Sequence, residues 1–169
     1  MPGFQPRDIL RILEEYRVRY IVIGNLGGTL YGSPLVTRDI DICPARSDQN
    51  LAALAAALRA MDARIRAPDV PKGLPFACDA AFLEQVALLN LITQFGELDL
   101  AFEPAGTGGY DDLSPRAVAI ALHDGLCPRV AALEDIIRSK EAANREKDRL
   151  ALPTLRLLLE TRRRGPSNA

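Results

Sequence analysis

Hydrophobic and polar residues follow two different periods along the chain, which predicts a fold built from both helices and strands. Four segments have apolar residues at helical spacing: 6–16, 48–61, 133–144 and 148–163. Four shorter runs are apolar throughout or alternate with polar residues, as strands do: 20–23, 39–43, 88–93 and 97–102. Helices and strands are therefore expected to alternate over most of the chain.

Shorter elements are predicted between these segments. Small residues fill 24–32, which predicts a turn and a short helix, and Asp79 is expected to cap another short helix over 79–86. Three prolines and a glycine in 66–76 predict a loop. A further strand pair is predicted at 117–122 and 128–131, on either side of a turn.

The length and order of the elements suggest one domain with a small helical appendage. The chain has 169 residues, a size typical of one compact domain. We expect a core over residues 1–132 and a C-terminal helical segment over 133–164 that packs on it. Residues 165–169 are expected to form a frayed tail.

Composition and charge bear on the compartment and the partners. Lys and Arg total 21 against 22 for Asp and Glu, so the balance does not favour a nucleic-acid binder, although a local basic patch would suffice. The three cysteines lack metal-ligand or redox spacing, which indicates reduced thiols. The chain shows neither a signal peptide nor a run of about 20 apolar residues, so a cytoplasmic protein with no membrane partner is expected.

The candidate chemistry is carried by carboxylates on two predicted strands. Asp39 and Asp41 are two residues apart, so on a strand they share one face while Ile40 and Ile42 enter the core. Two adjacent carboxylates repel, and a divalent cation compensates both. Because the chain has one histidine, oxygen ligands and hence Mg²⁺ or Mn²⁺ are expected. An exposed acidic strand of a plain structural domain would show the same pair.

A third acid and an upstream turn extend the pattern. Asp99 lies between two leucines on the strand predicted at 97–102, and three carboxylates from two strands can hold two metal ions for phosphoryl or nucleotidyl transfer. Gly24 ends the strand predicted at 20–23 and would let phosphate oxygens approach the backbone closely.

Gly24-Asn25, a spacer of thirteen residues and Asp39-Ile40-Asp41 together resemble the signature of the DNA polymerase beta-like nucleotidyltransferase superfamily. The string from Gly32 to Asp39 resembles its small bacterial branch, which includes minimal, antibiotic and toxin-type nucleotidyltransferases. The resemblance extends over residues 20–159. Asn25 departs from the glycine or serine of the signature, and Gly27-Gly28 offers a second register.

The resemblance implies a nucleotidyltransferase fold of the α/β (α+β) class, with a short mixed sheet flanked by helices and a C-terminal helical segment. It implies metal-dependent transfer of a nucleoside monophosphate from a nucleoside triphosphate, such as ATP, to a hydroxyl, with release of pyrophosphate. Asp39, Asp41 and Asp99 would bind Mg²⁺ or Mn²⁺, and Asp99 would also help activate the acceptor hydroxyl.

The other implied site residues concern the nucleotide. Gly24 and Asn25 would hold phosphate, and Lys140 would neutralise charge on the leaving pyrophosphate, unless it is a solvated helix lysine. Thr37 and Arg38 lie beside the acids and are expected to touch phosphate; for Arg38, pairing with a carboxylate is the alternative.

The acceptor and the role in the cell stay open at this point. A transfer RNA or other RNA end, a protein side chain and a small molecule are all compatible with the resemblance, and a toxin would imply an antitoxin partner. A non-catalytic nucleotide-binding or interaction module of the same fold is the alternative function, and Asn25 permits it. Metal-dependent release of pyrophosphate separates the two.

Overall fold

The computed structural model of the chain describes residues 3–165. Within that range the helices are α1 (Pro6–Glu15), α2 (Gly24–Leu30), α3 (Asp48–Ala60), α4 (Ala80–Glu84), α5 (Tyr110–Leu113), α6 (Leu133–Ala143) and α7 (Glu146–Arg164). The strands are β1 (Tyr20–Ile23), β2 (Asp39–Pro44), β3 (Arg64–Ala67), β4 (Val70–Leu74), β5 (Leu88–Thr93), β6 (Gly96–Ala101), β7 (Val118–Ala119) and β8 (Arg129–Val130).

The eight strands form one sheet in the order β4-β3-β5-β6-β2-β1-β8-β7. β2 pairs in parallel with β6 and antiparallel with β1, and β1 pairs in parallel with β8. The sheet is therefore mixed and carries helices at its flanks, which confirms the predicted α/β fold class.

Strand alternation separates an apolar face of the central strands from a polar one. On β2, Ile40 and Ile42 are fully buried, whereas Asp39 and Asp41 point to the other face. On β6, Leu98 and Leu100 are fully buried on either side of Asp99. The buried faces join one core cluster that includes residues of α1 and α3, so burial of these leucines and isoleucines fixes the direction of the acidic side chains.

The C-terminal helices lie close to the start of α2 because α2 presents glycines to them. A Cβ atom on Gly27 would approach Ile136 of α6 to 2.8 Å, and one on Gly28 would approach Leu155 of α7 to 2.8 Å. Such distances are too short for a side chain, so the glycines permit the close approach. This packing holds α6 and α7 next to the β1–α2 turn.

The sequence-based prediction was wrong for residues 66–76. Arg64–Ala67 and Val70–Leu74 form an antiparallel hairpin at the edge of the sheet instead of a loop. Pro71 lies on the edge strand β4, where a missing backbone N–H is tolerated, and Asp69 turns the chain with a φ of 61°. The hairpin places Arg66 near the acids of β6.

The other departures concern the lengths of elements. The strand pair predicted at 117–122 and 128–131 is reduced to two residues on each side. α4 ends at Glu84, and α7 begins at Glu146, two residues earlier than expected. Of the predicted frayed tail, residues 166–169 lie outside the described part of the chain. None of the helices within residues 3–165 is both long enough and apolar enough to cross a bilayer.

Candidate active site

The carboxylates of Asp39, Asp41 and Asp99 meet on the polar face of the sheet. Asp41 is paired with Asp99 in the parallel register of β2 and β6, and Asp39 lies two residues before Asp41 on the same face. One oxygen from each carboxylate lies within 4.8 Å of the other two. The register of two neighbouring strands thus produces the three-acid cluster, which we call the acid triad.

The β1–α2 turn is packed directly against the acid triad. Ile23, the last residue of β1, is paired with Asp41, and Gly24 follows with a φ of 66°. A Cβ atom on Gly24 would collide with the carboxylate of Asp41. A glycine is required here for both reasons, because the left-handed conformation disfavours other residues and the carboxylate occupies the space of a side chain.

Burial and mutual repulsion make the triad electrostatically unfavourable when no cation is bound. Burial, with the neighbouring charges of Asp39 and Asp99, raises the pKa of Asp41 to about 7, and Lys147 and Lys140 counteract this rise only in part. Burial also raises the pKa of Asp99, against the opposing effect of Arg66. The carboxylates therefore favour any cation that is able to enter between them.

Arg66 is a site residue that the sequence analysis missed. One terminal nitrogen of its guanidinium lies 3.0 Å from both carboxylate oxygens of Asp99, and the other bonds to Glu97. Because 66–76 was predicted to be a loop, no pattern placed this arginine next to β6. The arginine itself is the only signal in the sequence. Without the pairing of β3 with β5, it cannot be assigned to the polar face of the sheet.

The opposite wall of the cleft is built from α6 and α7 and carries cations. Lys140 is buried, and its Nζ lies 3.2 Å from Asp148 Oδ1. Arg145, the N-cap residue of α7, binds the same carboxylate through Nε at 2.7 Å. Lys147 is exposed, lines the cleft and forms no salt bridge within residues 3–165. We call these three cations the cationic wall.

Lys140 is neither a solvated helix lysine nor an unpaired cation that is free to bind phosphate. Its ammonium group lines the cleft but is held by Asp148, whose side chain is fully buried. Burial disfavours the charge on Asp148, but the bonds from Arg145 and Lys140 outweigh it and lower the pKa of that carboxyl. The hydrogen bond that Arg145 donates to Asp148, aided by the charges of Asp148, Asp41 and Asp39, raises the pKa of Arg145.

The remaining predicted residues also line the cleft. The hydroxyl of Thr37 donates to Asp39 Oδ1 at 3.0 Å, so this threonine orients an acid of the triad. Arg38 is exposed at the rim and pairs with no carboxylate among the described residues. The buried side-chain carbonyl oxygen of Asn25 accepts no hydrogen bond from residues 3–165, which leaves a polar group without a partner beside the Gly24 turn.

The acid triad and the cationic wall enclose a cleft of about 560 Å³. That volume falls within the range of small-molecule and cofactor sites. The acids line one side and the cations the other, while Ala87, Leu88 and Ala101 add an apolar patch beyond Asp99. Such a cleft is able to receive a ligand that is anionic at one end, together with a cation at the triad.

The donor set fits a hard divalent cation. Three carboxylates offer only oxygen atoms, the ligands that Mg²⁺ and Mn²⁺ prefer, and burial with the neighbouring acids raises the pKa of Asp41 despite the charges of Lys147 and Lys140. No histidine or cysteine of residues 3–165 joins the triad in the described structure. The residues present are therefore suited to magnesium or manganese.

Comparison with known proteins identifies the fold. No protein-family model matches the chain, and no curated protein matches it. Solved structures are similar to it, and two of them match over nearly their whole length. A candidate nucleotidyltransferase from Thermotoga maritima has 17% sequence identity and a TM-score of 0.55, over 95% of this chain and 98% of that one.

The second similar structure is the lincosamide antibiotic adenylyltransferase LnuA, solved with lincomycin bound. It has 15% identity and a TM-score of 0.61, over 92% of this chain and 99% of that one. At such identities the likeness defines the fold and leaves the activity to be argued from the site. The chain therefore has the nucleotidyltransferase fold.

Proposed function

We propose that the protein is a metal-dependent nucleotidyltransferase, which moves a nucleoside monophosphate from a nucleoside triphosphate to a hydroxyl and releases pyrophosphate. The observation that carries this proposal is the acid triad, whose carboxylate oxygens lie within 4.8 Å of one another opposite a cationic wall. Nucleotidyl transfer needs both features, because a cation must bridge acids and phosphates while other positive charges receive the pyrophosphate.

Asp39 and Asp41 would hold the metal ion that contacts the phosphates, and Asp99 would join them in holding a second. A bound Mg²⁺ or Mn²⁺ would offset the charge of the triad and polarise the phosphoryl group. The acceptor hydroxyl forms a bond to the α-phosphorus while the bond to pyrophosphate breaks. Asp99 is proposed to accept the hydroxyl proton, because Ala101 of the apolar patch lies two residues beyond it on the same strand and is paired with Leu88.

The triphosphate is proposed to lie between the Gly24 turn and the cationic wall. Gly24 and Asn25 line the floor, and the Asn25 side chain has a buried oxygen that still lacks a partner. Lys147 and Arg38 line the cleft without a salt bridge within residues 3–165, so both cations are available to phosphate. Lys140 contributes charge while Asp148 holds it, and Thr37 and Arg38 complete the phosphate side.

The acceptor is proposed to be a small molecule with a hydroxyl group. The name of LnuA states that it adenylylates a lincosamide antibiotic, and this chain offers an apolar patch next to Asp99. An acceptor screen would also detect an RNA end or a protein as the acceptor. Either of these would fit a toxin role with an antitoxin partner. The net charge of −1 gives no general support for RNA.

A non-catalytic nucleotide-binding module is the second candidate function. Asn25 favours it, because the similar signature has glycine or serine at this position and the asparagine side chain occupies space near the phosphates. The acid triad favours catalysis, since a module that only bound nucleotide would have no need of Asp99 at the acceptor side.

The direct test is release of pyrophosphate from each of the four nucleoside triphosphates with Mg²⁺, against pools of small hydroxylated molecules and total transfer RNA. If the protein is an enzyme, release of pyrophosphate should depend on the acceptor and should cease when EDTA removes the metal. Metal-dependent nucleotide binding without transfer to any pool would instead support the binding module.

A further inference from the structure

Arg66 distinguishes Asp99 from the other two acids of the triad. Its guanidinium reaches both oxygens of Asp99 at 3.0 Å, whereas Asp39 and Asp41 form no salt bridge with the described residues. The side chain of Asp99 is 12% exposed and that of Arg66 30%, so water weakens this pair less than a surface pair. Two acids of the triad have no ion-pair partner among the described residues, and the third already has a cation.

The position of Arg66 follows from the order of the strands. Asp99 is paired with Asp41 on one side and with Asn90 of β5 on the other, and β3 lies beyond β5. Arg66 therefore reaches across β5 to the triad, and a second contact to Glu97 on β6 anchors the other arm of its guanidinium. Both acceptors project from the same face of β6, because they are two residues apart.

A guanidinium and a metal ion compete for the same carboxylate. Both favour the ionised form of Asp99, and each repels the other, because both are positive. An arginine beside a carboxylate commonly lowers its affinity for a proton by tenfold to a thousandfold. A divalent cation experiences repulsion of the same sign, which its double charge strengthens.

From these contacts we propose that Arg66 is an internal cation that competes with the divalent metal for Asp99 and makes the Asp99-dependent metal position the weaker one. This inference rests on the proposed function, because it takes the acid triad to be a metal site. It assigns Arg66 a positioning role: the residue holds the Asp99 carboxylate in place and sets how strongly a metal binds there. Loading of that position would then depend on the added negative charge of the nucleotide.

The test is a titration of the nucleotide-free protein with Mn²⁺, in which electron paramagnetic resonance measures the free ion. Arg66→Gln is expected to tighten Mn²⁺ binding by about tenfold or more, because the competing charge is gone. Arg66→Lys keeps the charge and should bind Mn²⁺ within about threefold of the parent. Arg64→Gln is the matched control, because Arg64 lies on the same strand but pairs with Asp62 at 3.7 Å.

The tightening must also depend on Asp99. In an Asp99→Asn background, Arg66→Gln should leave Mn²⁺ affinity unchanged. Should Arg66→Gln fail to fold, as judged by circular dichroism, Arg66→Met offers the same loss of charge with a similar apolar stem.

Two results would overturn the inference in distinguishable ways. If Arg66→Gln binds Mn²⁺ no more tightly than the parent, while Asp41→Asn abolishes binding, the competition is absent and the metal site stands. If the parent binds no Mn²⁺, or binds it equally well after Asp41→Asn, the metal site itself is wrong and the inference falls with it.

Discussion

Asp41 on the sheet wall of the cleft and Asp148 on the helical wall are two buried acids with opposite electrostatic environments. Other acids surround Asp41, and burial with their charges raises its pKa to about 7. Asp148 is fully buried but is bound by Arg145 and Lys140, which together lower its pKa. The protein thus gives the second acid two paired cations, whereas the charges of Lys147 and Lys140 offset the environment of the first only in part.

The comparison indicates which acid stabilises the fold and which one serves a ligand. Asp148 joins the end of α6 to the start of α7, since it accepts from Lys140, from Arg145 and from the backbone of its own N-cap. Among the described residues Asp41 makes no comparable bond, and it repels Asp39 and Asp99. Unfavourable electrostatics of this kind persist where a site needs them, and the rest of the fold offsets the cost.

The largest expected effect comes from the sheet wall. Asp99→Asn should lower the rate of nucleotidyl transfer by about a thousandfold or more, because the acceptor hydroxyl loses its proton acceptor and a metal ligand. Nucleotide affinity should change far less, since the phosphates are proposed to contact the Gly24 turn and the metal held by Asp39 and Asp41. Pyrophosphate release and equilibrium binding of a nucleotide analogue measure the two quantities separately. Transfer at the parental rate would remove Asp99 from its assigned role.

The helical wall gives the next largest effect, and it concerns stability. Asp148→Asn should lower the free energy of unfolding by about 3–5 kcal/mol, because it leaves the buried Lys140 without its counter-ion. Urea denaturation measures the loss. Glu146→Gln, an exposed change in the same first turn of α7, is the control and should cost little. A loss of similar size in both variants would mean that the charge of α7, rather than the buried pair, stabilises this region.

Much of this comparison was accessible from the sequence. Alternation alone placed Asp39 and Asp41 on one face of β2 and Asp99 between buried leucines on β6, because core-facing residues fix the direction of their neighbours. The helices α6 and α7 were also predicted within two residues at each end.

The parts that failed depend on contacts between distant segments. Proline content indicated a loop at 66–76, but an edge strand tolerates Pro71, and only pairing with β5 reveals β3. The bond from Arg66 to Asp99 spans 33 residues and crosses a strand. Lys140 was identified from a family pattern, whereas its bond to Asp148 depends on the turn between α6 and α7, which local periodicity does not encode.

A third prediction concerns pH and the metal-free protein. Because folding raises the pKa of Asp41 from 3.8 to about 7, the stability that its protonated form provides is present below pH 3.8 and is lost as the pH rises through 7. Asp41→Asn should therefore raise the stability of the EDTA-treated protein at pH 8 by about 4 kcal/mol, and change it little at low pH.

Thermal unfolding in EDTA between pH 5 and pH 8 measures this difference. Asp69→Asn, at an exposed turn with a φ that asparagine tolerates, is the control and should show no such pH dependence. Equal slopes for the parent and Asp41→Asn would contradict the proposed repulsion within the triad.

The smallest expected effect concerns Lys147, the exposed lysine of the cationic wall. Lys147→Ala should weaken binding of the triphosphate by about tenfold and leave stability unchanged, because Lys147 is exposed and faces the acids without a salt bridge within residues 3–165. Calorimetric titration with a nucleotide analogue and Mg²⁺ measures it, and the exposed Lys72→Ala serves as control. Unchanged affinity would mean that the phosphates do not bind next to α7.

The most direct test of the central claim is a crystal structure with Mn²⁺ and a non-hydrolysable nucleoside triphosphate analogue, in which anomalous diffraction locates the metal. The account predicts a manganese peak bonded to Asp39 and Asp41, a second one that includes Asp99, and the triphosphate between the Gly24 turn and α7. Manganese away from all three carboxylates, or a nucleotide bound outside this cleft, would contradict it.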